Sequence, residues 1–225
     1  MIQAVLLDID DTLLDFGQAS RLSIQEGFAR LGLPFSEDVM AVFTQVNDEL
    51  WRRLERGELT RERLYCLRWT QIFQRLGFSA DGPAFDGAFR RDLARQVCPV
   101  EGALPLVQYL SARYVLCAAS NGPYGQQLRR LGDAGMLPYF HHLFISEQIG
   151  FSKPARAFYD HCFAALAPIQ PSETIIVGDS LTADIAGGLA YGTSACWFNP
   201  KGLAAPDGCR PDFEIARLDE LMHIL

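Results

Sequence analysis

Three observations predict an α/β fold in which a parallel sheet is interrupted by an all-helical insertion. An apolar run of strand length stands at residues 4–7, residues 15–97 hold helical periods and no convincing strand, and from residue 98 strands alternate with helices. Alternation of that kind builds parallel sheets with right-handed crossovers. The first strand belongs to the same sheet, so the expected organisation is a core of residues 1–14 and 98–225 with a helical insert at 15–97.

The elements follow in order. Ala4-Val5-Leu6-Leu7 runs straight into Asp8-Ile9-Asp10-Asp11-Thr12, the pattern of a strand buried on both faces with its acidic end at the carboxyl edge of the sheet. Helices are expected at 20–31, 38–54, 60–76 and 83–97, separated by Gly32-Leu33-Pro34, Gly57, and Gly77 with Gly82-Pro83. Val39, Val42, Phe43, Val46, Leu50 and Leu54 fall at helical spacing and need a partner face. Pro99, Gly102 and Pro105 open a helix to about residue 112, and strands are expected at 114–119, 142–146, 174–177 and 194–198. Helices from Tyr124, at 155–166 and at 182–191 complete the alternation, with no internal repeat and no low-complexity stretch.

Composition narrows the class. Hydrophobic content of 49% and charged content of 21% fit an ordinary globular protein, and a net charge of −7 argues against a nucleic-acid polymer as partner. No signal-peptide pattern and no span of membrane length is present, so a cytoplasmic setting without membrane contact is expected. The six cysteines, at 66, 98, 117, 162, 196 and 209, form no Cys-x-x-Cys pair, which suits a reducing compartment. The adjacent His141 and His142 lack metal-ligand spacing and read as loop residues.

Polar signals end or follow four of the strands: Asp8 and Asp10, then Ser120-Asn121-Gly122, Lys153-Pro154, and Gly178-Asp179 with Asp184. Each alone has an ordinary reading, as a turn, a helix cap or a solvated lysine. Together, at one edge of one sheet, they suit phosphoryl transfer through an aspartyl intermediate. A carboxylate can be the covalent nucleophile for phosphorus. Its approach to a phosphate dianion needs Mg²⁺ on hard oxygen ligands, an ammonium, and hydrogen-bond donors on the equatorial oxygens. Asp8 is the expected nucleophile, Asp179 a metal ligand, Lys153 the charge clamp, and Ser120 and Asn121 phosphate donors. Asp10 would protonate the leaving alkoxide and deprotonate the attacking water, with neighbouring negative charge raising its affinity for the proton.

Asp8-x-Asp10-x-Thr12, Ser120, Lys153-Pro154 and Gly178-Asp179-x-x-x-x-Asp184 resemble the four motifs of the haloacid dehalogenase (HAD) superfamily, in the family's order and over nearly the whole chain. The resemblance implies a Rossmann-like core binding Mg²⁺ through Asp8, Asp179 and the backbone carbonyl of Asp10. It implies Asp184 and Thr12 in supporting places, Asp184 orienting metal-bound water or Lys153. It also makes residues 15–97 a cap that closes over the site. Members that dehalogenate lack an aspartate where Asp10 stands, and phosphonate-cleaving members use a cap lysine, of which residues 15–97 contain none.

Asn47-Asp48-Glu49-Leu50-Trp51, Ser146-Glu147-Gln148-Ile149-Gly150, Asp184-Ile185-Ala186-Gly187-Gly188 and Cys196-Trp197-Phe198-Asn199 are similar to the pyrimidine 5′-nucleotidase branch. Trp51 or Phe16 could stack on a base, although aromatics at helical spacing are more often core. The arginines at 52, 53, 56, 61 and 63 read as a solvated face. The expected activity is therefore a Mg²⁺-dependent phosphomonoesterase for a small phosphorylated metabolite, favouring nucleoside 5′-monophosphates, as a monomer or homodimer. A sugar-phosphate phosphatase or phosphoglucomutase-like mutase is the alternative within the class. A receiver-like phospho-acceptor is the alternative outside it, disfavoured by chain length.

Overall fold

The computed structural model describes residues 1–206 and 208–225. Among the described residues six strands form one all-parallel sheet: β1 (Ala4–Leu7), β2 (Val115–Ser120), β3 (His142–Ile145), β4 (Thr174–Gly178), β5 (Ser194–Phe198) and β6 (Phe213–Ile215), in the order β3-β2-β1-β4-β5-β6. The order reverses at β1, whose Leu7 lies opposite Ala118 of β2 and Val177 of β4. Asp8, the end of β2 and the end of β4 are thereby level at the carboxyl edge, where open α/β sheets bind their ligands.

Alternation along the strands sorts side chains into two buried layers. Val5, Leu7, Leu116, Ala118, Ile175, Val177, Cys196 and Phe198 share one layer with helices α5 (Ala103–Ser111), α6 (Tyr124–Asp133) and α10 (Leu221–Ile224). Ala4, Leu6, Cys117, Ala119, Ile176, Ala195 and Trp197 share the other with α8 (Arg156–Leu166) and a π-helical turn at Leu181–Ala186 that continues into α9 (Gly187–Tyr191). The short α7 (Ser146–Ile149) follows β3 directly. A Cβ on Gly188 would meet the side chains of Ile176 and Thr193, which is why a glycine lets this helix lie so close to the sheet. No helix among the described residues is long and apolar enough to cross a membrane.

The chain divides into two compact units, Met1–Phe16 with Val97–Leu225, and Gly17–Gln96. Where it leaves and re-enters the sheet-bearing unit, its two segments are paired. Asp15 N–H donates to the Cys98 carbonyl (2.8 Å), Val100 N–H to the Leu13 carbonyl (2.9 Å), and Leu14 bridges Pro99 antiparallel.

The second unit is helical: α1 (Phe16–Leu31, its first residue in the sheet-bearing unit), α2 (Glu37–Glu55), α3 (Arg61–Leu76) and α4 (Gly82–Leu93). Thr60 caps α3 by accepting from Arg63 N–H (3.3 Å), and Asp81 caps α4 by accepting from Ala84 N–H (2.9 Å). Trp69 is its buried hub. The indole stacks on Phe43 at 5.8 Å and meets Phe85 edge-on at 4.4 Å, with Phe28, Phe73 and Phe89 around it.

Two expectations need adjusting. The helix expected to reach residue 97 ends at Leu93. The strand expected at 142–146 ends at Ile145, and Ser146 opens α7; His142 opens that strand as expected and stacks on Phe144, while His141 Nδ1 accepts from Leu116 N–H (3.1 Å). Strand β6 was not anticipated. The buried cysteines behave as small hydrophobes, burial pushing the Cys117 and Cys196 thiols up to about 12.

Candidate active site

Past the end of β1 the backbone turns tightly. Leu13 and Leu14 N–H both donate to the Ile9 carbonyl (2.9 Å each), and Asp11 takes a left-handed φ of 58°, its Oδ1 accepting from Phe16 N–H (2.9 Å). Asp8 stays in line with the strand, its N–H bonded to the Val177 carbonyl (2.9 Å).

Lys153 reaches this point from the segment after α7. Its Nζ donates to Asp8 Oδ1 (2.6 Å), Asp184 Oδ1 (2.5 Å) and the Ala119 carbonyl (2.5 Å), using all three ammonium donors on buried acceptors. Burial would lower its pKa. The carboxylates of Asp184 and Asp8 outweigh that, and the net shift is upward, so the side chain stays cationic.

The π-helical turn brings Asp184 back against the end of β4. Asp184 Oδ2 accepts from Ser180 N–H (3.1 Å), and Ser180 Oγ accepts from Ala183 N–H (3.1 Å). A Cβ on Gly178 would collide with the Asp184 carboxylate, so only glycine leaves this place open. Trp197 Nε1 donates to the Asp179 carbonyl (2.9 Å) and steadies the strand end.

Carboxylate oxygens of Asp8, Asp179 and Asp184 lie within 4.8 Å of one another. Burial pushes the Asp8 carboxyl up to about 8 against the pull of Lys153, with Asp184 and Asp10 adding to the rise. Asp179, partly exposed, is also pushed well above the usual carboxylate range by burial and then by Asp8, Asp184 and Asp11. Three carboxylates crowded around one ammonium are short of positive charge. A hard oxygen donor set of this size and spacing suits a divalent cation of the Mg²⁺ type.

Ser120, at the end of β2, is buried, and its Oγ accepts from Gly122 N–H (3.0 Å) and Gln127 Nε2 (2.8 Å). With both lone pairs engaged, the hydroxyl proton is what it can offer a ligand. Asn121 is tied to the lysine. Its carboxamide clamps the backbone of Lys153, donating to the carbonyl (3.0 Å) and accepting from the N–H (2.8 Å). Thr12 is buried, and its hydroxyl has no hydrogen-bond partner among the described residues.

The carboxylate of Asp10 stands outside the Asp8, Asp179 and Asp184 group. It is ion-paired to Arg130 and accepts from Gln127 Nε2 (2.5 Å), so a cation is bonded directly to it, where the sequence suggested a negative surrounding. Neither α6 residue was expected at the site. The signal available was a polar pair three residues apart on the helix that follows the Ser120 motif.

The branch-specific stretches have local work. Glu147 Oε2 accepts from Tyr124 N–H (2.8 Å) at the start of α6, and Asn199 ties Leu203 and Glu214 together. In the helical unit Asn47 accepts from buried Arg68 (3.1 Å), and Arg61 lies over the half-buried Trp51 ring at 5.5 Å. Arg52, Arg56 and Arg63 are exposed as expected, and Arg53 and Arg61 are intermediate.

Comparison with known proteins agrees with this geometry. The family model described as haloacid dehalogenase-like hydrolase matches residues 2–192. The HAD-hydrolase YfnB of Bacillus subtilis is 35% identical over 223 residues, covering 99% of this chain and 95% of the relative. The pyrimidine 5′-nucleotidase PynA of Streptococcus pneumoniae is 32% identical, covering 98% and 94%. A crystal structure of YfnB bound to magnesium superposes with a TM-score of 0.94 over 100% of this chain and 98% of that one. The motif residues, the sheet order and these similarities lead to one assignment: the chain belongs to the haloacid dehalogenase-like hydrolases.

Proposed function

We propose that the protein is a Mg²⁺-dependent phosphomonoesterase working through an aspartyl-phosphate on Asp8, with nucleoside 5′-monophosphates as its preferred substrates. The observation that carries the reading is the ammonium of Lys153 bonded to both Asp8 and Asp184 at the edge of the sheet where Asp179 also stands. Similarity to PynA, a pyrimidine 5′-nucleotidase, supports the choice of substrate class.

Asp8 and Asp179 would hold Mg²⁺, with the backbone carbonyl of Asp10, and Asp184 stands close enough to support them. When bound, the ion supplies positive charge that lets an anionic nucleophile meet an anionic phosphate. The remaining chemistry belongs to the chain. Asp8 Oδ attacks phosphorus as the bond to the leaving oxygen breaks, and that oxygen takes a proton from Asp10. Water then attacks the phosphoaspartate, gives a proton back to Asp10, and releases inorganic phosphate as the Asp8 Oδ–P bond breaks. Ser120 offers its hydroxyl proton to a phosphate oxygen, Lys153 supplies positive charge beside it, and Asn121 fixes the lysine that does so. The helical unit would serve as the cap that the family resemblance implies.

The test is phosphate release, with and without Mg²⁺, across nucleoside 5′-monophosphates and hexose phosphates, alongside Asp8→Asn. The expected result is Mg²⁺-dependent turnover favouring nucleotides and abolished by Asp8→Asn in a folded protein. Equal rates on hexose phosphates would remove the nucleotidase assignment. Full activity of Asp8→Asn would remove the mechanism.

A further inference from the structure

Helix α6 presents two wholly buried polar side chains, Gln127 and Arg130, toward the end of β1. Arg130 Nη1 donates to Asp10 Oδ1, Gln127 Nε2 to Asp10 Oδ2 (2.5 Å), and each carboxylate oxygen is thus held from a different side chain. The two holders are joined to each other, Arg130 Nη1 donating to Gln127 Oε1 (3.3 Å), and to the phosphate motif, Gln127 Nε2 donating to Ser120 Oγ (2.8 Å).

This arrangement is costly unless the bond to Asp10 persists. The Arg130 side chain is 0% exposed, and Asp10 is its salt-bridge partner among the described residues. Its Nε and Nη2 have no hydrogen-bond partner there. A guanidinium sealed in this way loses most of its charge compensation if the carboxylate leaves. Asp10, in contrast, keeps 28% of its side chain exposed, and each of its oxygens retains a second lone pair for a ligand. Glu147, capping the first turn of α6, fixes the helix that carries both holders.

We propose that Gln127 and Arg130 are positioning residues that hold the Asp10 carboxylate at the point where it exchanges a proton with the leaving oxygen, in register with Ser120. The proposal rests on the acid–base reading of Asp10 given above. It concerns where the two oxygens stand, and transfers no atom beyond the proton already assigned. Loss of either holder lets the carboxylate rotate, and the cost falls on substrates whose leaving group needs that proton.

The experiment measures kcat/KM at saturating Mg²⁺ for aryl phosphates of increasing leaving-group pKa and for an alkyl monophosphate. It compares the wild type with Arg130→Met, Arg130→Lys, Gln127→Leu and Asp10→Asn. This parameter reports the step that expels the leaving group. Arg130→Met is expected to lose roughly 10- to 100-fold on the alkyl ester, part of the gain general acids supply, and little on 4-nitrophenyl phosphate. Gln127→Leu should lose in the same pattern and less, and Arg130→Lys should recover part of the alkyl rate.

An equal loss along the whole series would reduce Arg130 to a packing role and overturn the proposal. A faster alkyl reaction would overturn it as well, because Arg130 would then be holding Asp10 away from its work. If Arg130→Met does not fold, the proposal stands or falls on the slope for Gln127→Leu, which leaves the ion pair in place. Asp10→Asn losing equally on both kinds of ester would instead remove the acid–base reading itself, whatever the helix variants do.

Discussion

Asn121 and Lys153 exchange two hydrogen bonds, the asparagine side chain donating to the lysine carbonyl at 3.0 Å and accepting from its N–H at 2.8 Å. A side chain thus does for the Lys153 segment what a neighbouring strand does inside the sheet. The bonds set the direction in which the long lysine stem enters the site.

Asn121→Ala should therefore lower activity without dismantling the fold. Each partly buried backbone group left unpaired costs about 1–3 kcal/mol of stability. Because the lysine is then misdirected, kcat/KM should also fall, by about tenfold for each 1.4 kcal/mol of transition-state stabilisation lost. Steady-state kinetics beside a thermal melt check this, and unchanged kcat/KM would contradict it.

Stability of the metal-free protein should fall as pH rises across the neutral range. The Asp8 carboxyl is pushed up to about 8 in the fold, above its value in the unfolded chain, and Asp179 shifts in the same direction. Carboxyls shifted upward contribute stability that is fully present below their unfolded pKa and is lost as pH climbs through the folded one. Lys153, shifted upward too, stays charged throughout this window. Thermal unfolding in EDTA should show the midpoint dropping from about pH 5 to about pH 9, and saturating Mg²⁺ should flatten the drop by favouring the ionised carboxylates. A metal-free midpoint that rises over the same interval would contradict the account.

Gly178→Ala should damage the site from behind. The added methyl meets the Asp184 carboxylate at the end of β4. Overpacking of this kind costs about 1–3 kcal/mol. Displacing Asp184 should also weaken the acidic group as a cation site, so Mg²⁺ titration by calorimetry is expected to show lower affinity as well as a lower melting midpoint.

In the helical unit, Asp86→Ala should be among the most damaging single changes. Asp86 is buried and pairs with Arg68 (2.8 Å), itself buried, and with Arg90 (2.9 Å). Removing the acid leaves a sealed guanidinium unpaired, a loss of about 3–5 kcal/mol. Denaturant unfolding checks it. The double variant Arg68→Met with Asp86→Leu, which removes both charges, should regain most of the loss.

The strands that line the site were legible because β1, β2, β4 and β5 are covered on both faces and read as unbroken apolar runs. Strand β6 was not, since Phe213-Glu214-Ile215 is short, lies at the edge and buries only Ile215. Asp8, Ser120, Lys153, Asp179 and Asp184 were legible because each ends or follows a strand, and topology alone gathers strand ends. Gln127 and Arg130 sit within a helix, where a polar pair ordinarily faces water. Only the approach of α6 to β1, fixed by contacts far apart in the chain, reveals that both are sealed. The Arg68–Asp86 pair was hidden for the same reason, its members lying on different helices.

The ties between Asp15 and Cys98 and between Leu13 and Val100 mean that the outgoing and returning segments are fastened together before the insertion begins. A cassette grafted at this junction meets two ends already side by side, and closing a loop grows only slowly more expensive as the loop lengthens. The junction is thus a natural splice point, at which an insert of different length or shape could be exchanged while the β1 turn that carries Asp8 and Asp10 keeps its own fastening.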